Sequence, residues 1–275
     1  MSTLTTPLPP RLSPPLRAIR LSDTVRAEWT RLRSVRSTFW SLVAAIGLSI
    51  GISAAISAAN ASNFRQRGQF RQLSFNPTDV SLRSMVIGVL AVSVLGVLTI
   101  TSEYSSGMIR TSLAAVPRRW PLLASKMAVF AAVAFVIGEV CGFGGFLVGQ
   151  TILSGGAPHA TLGQPGVLRA VFGVGLYFAG MGLFALGLGT IIRSTAGAIT
   201  ATVAVVFALP GLAQALPGTL GESVREFLPS NAGSQIYALH GGSYQLNPWP
   251  GFAMLCLYAA LSLGVAFWLF ERRDA

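Results

Sequence analysis

Six stretches of this chain, 39–59, 82–100, 122–147, 168–192, 197–216 and 251–270, stay apolar over about the 20 residues that a helix needs to cross a hydrocarbon core about 30 Å thick. Inside lipid every backbone N–H and C=O must find a partner within the protein, and a helix supplies those partners locally. The chain therefore reads as an all-α integral membrane protein with six transmembrane helices. Composition agrees where it bears on this: 11% of the 275 residues are charged, against about a quarter in a soluble globule. The third run extends towards 153 and, like the fourth, is long enough to tilt or break, with Gly142, Gly144 and Gly145 as the expected weak point. Gly138 with Gly142, Gly145 with Gly149, and six glycines in the fourth run predict close helix packing or a subunit interface.

The flanks set the orientation. Residues 1–20 are rich in proline and lack an apolar core, so a disordered tail is expected and no cleaved secretory signal. Over 21–38 the apolar positions Leu21, Val25, Trp29 and Leu32 recur at helical spacing among Arg26, Arg31, Arg33 and Arg36, the pattern of a basic amphipathic helix lying in an anionic headgroup plane. Residues 39–270 form the six-span domain, and 271–275 a short tail. Six spans put both ends on one side. Fourteen of the twenty Lys and Arg then fall on the side of the termini and six on the other, which places both termini in the cytoplasm of a cell-membrane protein. Trp40, Trp120, Trp249 and Trp268 mark the interfaces. The outer loops 60–81, 154–166 and 217–250 are too short for a capture domain, and 222–228 has the makings of one or two helical turns.

No catalytic constellation is visible. Cys141 and Cys256 lie in apolar runs, and His159 and His240 each stand alone, so neither a disulfide framework nor a metal site is expected. Leu153-Ser154-Gly155-Gly156 looks like an ATPase signature, but it closes a span and the chain has no phosphate loop. The chain is read as no enzyme, with no cofactor of its own and no nucleic-acid partner. Glu139 is the one acidic residue deep inside an apolar run. An ionisable group at that depth either faces a cavity, a partner or a pathway, as the proton site of a gradient-driven transporter would, or is a protonated carboxyl bonded to a neighbouring backbone carbonyl or close to the outer interface.

Between the second and third runs, 101–121 breaks the apolar pattern. Ile109, Ser112, Leu113 and Val116 share one face of a short helix that Pro117 ends. A helix that short is marginal alone in water and must dock to be ordered. The loop is thus either a grip for a soluble partner or a basic turn at the headgroups.

Four local patterns carry a family resemblance: Glu28 to Trp40 before the first span; Glu103-Tyr104-Ser105-Ser106-Gly107-Met108-Ile109-Arg110-Thr111-Ser112-Leu113; Arg193-Ser194-Thr195-Ala196-Gly197-Ala198; and Leu228-Pro229-Ser230-Asn231-Ala232-Gly233. In this order on a six-span chain they resemble the actinobacterial branch of type-2 ABC transporter permeases, the exporter class for drugs, lipids or polysaccharides. Gly107-Met108 departs from the commoner Gly-Thr. The resemblance implies a permease subunit, as a homodimer or paired with a similar subunit, driven by two copies of a separate ATPase that holds ATP and Mg. It makes the 103–113 segment a coupling helix, with Met108, Ile109 and Leu113 as apolar anchors, Glu103 and Arg110 as polar contacts, and Tyr104, Gly107, Arg193, Ser194 and Thr195 beside them. A proton-coupled transporter using Glu139 and a non-transporting sensor or assembly subunit are the alternatives.

Overall fold

The computed structural model describes residues 21–34, 36–66, 72, 74–108, 119–217, 219–239 and 245–272. Among them the regular structure is helical throughout, and six helices are long and apolar enough to cross a membrane. Helix α1 (Leu21–Ser34) precedes the first span, α2 (Arg36–Asn63). Asn60 and Asn63 donate side-chain N–H groups to the carbonyls of Ile56 and Ala59, which carries the helix beyond its apolar run into a 3₁₀ turn, Phe64–Gln66.

The second span comprises α3 (Pro77–Leu82) and α4 (Met85–Ser106). It starts five residues ahead of the apolar run because Asn76 caps it, its side-chain oxygen accepting from the N–H groups of Thr78 and Asp79. Gly107 ends it in the left-handed conformation, φ 69°, the usual helix stop.

The third span, α5 (Arg119–Leu153), runs unbroken for 35 residues. The expected weak point at Gly142, Gly144 and Gly145 does not exist. Neighbouring groups fill the space a side chain would take: a Cβ on Gly142 would stand 2.8 Å from the Val171 carbonyl oxygen, on Gly144 2.6 Å from Ile50, and on Gly145 2.7 Å from Met85. The glycines serve close approach, and the helix keeps its backbone bonds because lipid offers no others.

The fourth span, α6 (Val167–Ile192), is the hub. It is 72% buried, against 22% for the first and fifth spans, so the others are arranged around it. Its glycines face different neighbours: Gly173 meets Ile236, Gly180 Leu255, Gly182 Phe130, Gly187 Ser262 and Gly189 the α4 backbone at Val97.

The fifth span joins α7 (Thr195–Val203) to α8 (Leu209–Gln214) through a π-helical turn, Ala204–Ala208, in which Leu209 N–H donates to the Ala204 carbonyl five residues back. Pro210 accounts for it. In that register its missing N–H would have served the Val205 carbonyl, and the Ser230 hydroxyl donates to that oxygen instead, at 3.2 Å. Helix α9 (Thr219–Phe227) covers the turns expected at 222–228, and α10 (Pro229–Ser234) packs on the last span, α11 (Pro248–Arg272).

At the far end from α1, side chains tie the loops to the bundle. Gln150 donates to the Pro77 carbonyl and accepts from Ala160 N–H, while Arg169 donates to the carbonyls of Ile236 and Ala238 at 2.7 and 2.9 Å. The Asp79 carboxylate accepts from Leu239 N–H. Burial, with the Asp79 charge adding to it, holds the Tyr237 phenol well above its ordinary pKa.

Candidate functional site

Because the spans alternate in direction, α1, the start of α5, the end of α4 and the α6–α7 turn meet at one end of the bundle. Three charged side chains are buried there. Lys126, on the second turn of the third span, donates from Nζ to Glu28 on α1 at 2.8 Å and to Glu103 at the end of α4 at 2.7 Å. Lys126 and Glu103 are each 1% exposed and Glu28 is 8% exposed, so the pairs lie beyond the screening reach of solvent. Glu28 and Thr24 are four apart on α1 and form the face that packs against α5. Arg26 points outward, as does Arg36 at the start of α2.

The resemblance implies Glu103 as a polar contact to the ATPase. In the described chain its carboxylate is buried against Lys126, at the root of the loop that follows. The next residue, Tyr104, receives the Arg193 guanidinium over its ring at 5.0 Å. Arg193 caps α6 in the left-handed region, φ 57°, which is rare for a residue with a side chain. Ser194 then caps α7, its hydroxyl oxygen accepting from Gly197 N–H, and Thr195 is that helix's first residue. Residues 103–104 and 193–195, about 90 apart in sequence, thus form one patch, with Gly107 and the half-exposed Met108 leading away from it. Ile109, Arg110 and Leu113 lie outside the described residues, as do the side chains of Arg31 and Arg33.

Glu139 sits near mid-depth, about 24 Å of helix rise from Leu123 and about 21 Å from Leu153. It is half-buried with its carboxyl against Gly175 of α6, and neither oxygen has a hydrogen-bond partner among the described residues.

Sequence reasoning missed Glu28 and Lys126 as a pair. The signal was faint: the single lysine of the chain lies just inside an apolar run, and Glu28 is one of two acids, with Asp23, among the arginines of α1. Nothing in the sequence relates residues 98 apart.

Six helices of the described chain are long and apolar enough to cross a membrane, and residues 21–275 match the family described as ABC-2 family transporter protein. The chain belongs to that family. No curated protein matches it. This ABC-2 permease is the multi-pass membrane subunit of an ABC transporter, of a family whose members generally work with an ABC ATPase. The match begins at α1, so that helix belongs to the family unit, whereas residues 1–20 fall outside it.

Proposed function

We propose that this permease lines the passage of an ATP-driven exporter, working as a pair of copies from the cell membrane with both termini in the cytoplasm. A separate ATPase, in two copies, would hold ATP and Mg and grip the segment 107–113 together with Arg193, Ser194 and Thr195. The buried Glu28–Lys126–Glu103 triad carries this reading. It locks the root of the loop to α1, α4 and α5, so that a push on the loop moves three helices as one body rather than flexing a tether. Arg193 on Tyr104 extends the same block to α6 and α7. Rigid-body motion of this kind is how ligand-driven closure becomes rearrangement of a bundle.

A photo-crosslinking residue at Met108, in the full transporter assembled in membranes, tests the grip. The expected product joins this chain to one that carries a phosphate loop, with the yield changing when nucleotide is added. An ATPase that co-purifies yet never crosslinks from Met108 would refute it.

One observation favours a second reading, a proton-coupled transporter: the mid-depth carboxyl of Glu139 without a hydrogen bond among the described residues. Transport in vesicles that persists without nucleotide and stops in Glu139→Gln would replace the first reading by this one.

A further inference from the structure

Above the triad, α1, α2, α4 and α5 part to leave a groove of about 160 Å³. Trp29 of α1 and Phe39 of α2 stand at its mouth, and Leu42, Leu95, Phe130 and Ile137 line its length. From Phe130 to Ile137 the wall rises about 10 Å, from near the α1 end towards mid-membrane. Its one hydroxyl, that of Thr99, donates to the Leu95 carbonyl at 2.7 Å. Apart from the Trp29 indole N–H at the mouth, the described walls offer an occupant dispersion contact.

Size narrows the occupant. An apolar cavity of about 150 Å³ in a soluble protein stays dry and binds a small hydrocarbon such as benzene. A groove of that size, about 10 Å long, suits a hydrocarbon chain one carbon wide better than a helix about 10 Å across. Charge narrows it further. Arg26 lies three residues before Trp29 on α1, and Arg36 three before Phe39 on α2, so each guanidinium shares a helix face with a groove aromatic. Both arginines are exposed, and Trp29 and Phe39 are 51% and 58% exposed.

We infer that this groove is a binding site for an anionic phospholipid of the leaflet that holds α1, one acyl chain between α2 and α5 and the phosphate between Arg26 and Arg36. The lipid is a resident of the fold and not cargo.

The test is native mass spectrometry of the full chain released from micelles containing equal phosphatidylglycerol and phosphatidylcholine. One phosphatidylglycerol per chain should survive on the wild type. Arg26→Gln with Arg36→Gln removes two surface charges worth about 1 kcal/mol each, so retention should fall roughly thirtyfold. Val133→Trp, which fills the groove and leaves both arginines, should abolish it. Equal retention of the two lipids, or retention unchanged in Val133→Trp, would show ordinary boundary lipid and overturn the site. Loss of self-association in Val133→Trp with lipid retention intact would overturn it in favour of a second copy. If Val133→Trp does not fold, the arginine pair alone decides, since both side chains are exposed.

Discussion

Replacing Lys126 by Met keeps most of the side-chain volume and removes one charge. In the native structure that charge serves two carboxylates, Glu28 and Glu103, at 2.8 and 2.7 Å. Without it the two acids are left together in a site where Glu103 is 1% exposed. Breaking one buried pair typically costs about 3–5 kcal/mol, and with two partners stranded the upper end applies, about 5 kcal/mol. On the scale of soluble chains of similar size, about 2–4 °C per kcal/mol, the melting midpoint should fall by about 10–20 °C. Thermal melts of the detergent-purified chain at neutral pH measure this, with exposed Arg83→Met as a control expected within about 0.5 kcal/mol of wild type. The triple variant Glu28→Met, Lys126→Met, Glu103→Met should recover most of the loss, because replacing a whole buried ionic cluster by apolar groups is often neutral. A single variant melting within about 2 °C of wild type, or a triple variant no better than the single, would show that the ions do not hold this corner together.

Glu139→Leu should stabilise the chain by about 2.5–3.5 kcal/mol, and so raise its melting midpoint, if its carboxyl is as costly as acids at the centre of inserted helices; a fall would mean that an assembled transporter supplies the carboxyl with a partner. Gly138→Ala sets a Cβ 2.7 Å from the Gly175 Cα and should destabilise by about 1–3 kcal/mol, whereas Gly51→Ala meets nothing within 4 Å and should be neutral or stabilising; denaturant titration of the two separates packing from propensity. Arg169→Ala strands the carbonyls of Ile236 and Ala238 and should speed proteolysis near Tyr237, with no change if those oxygens are satisfied otherwise.

The spans were legible because one physical requirement, apolar length, writes itself locally. Their ends were less so: α3 begins at a cap whose polar residues look like loop, and α5 passes through three glycines whose role depends on what faces them. Met85, Ile50 and Val171 decide that role, and none is near those glycines in sequence. The patch at Tyr104 and Arg193 was half legible, since both segments stood out but their contact did not. Lys126 shows the limit most plainly. A charge at the edge of an apolar run looks the same whether it reaches for headgroups or for two acids, and only the folded positions of Glu28 and Glu103 distinguish them.

The burial of Lys126 has a practical side. It is the one lysine among the 275 residues, and its nitrogen is held between two acids. In the folded protein, amine-directed dyes, biotin esters and lysine crosslinkers would find no lysine side chain to react with. Unfolding would expose a single new amine, so the appearance of label at that position is a built-in meter for the loss of native structure.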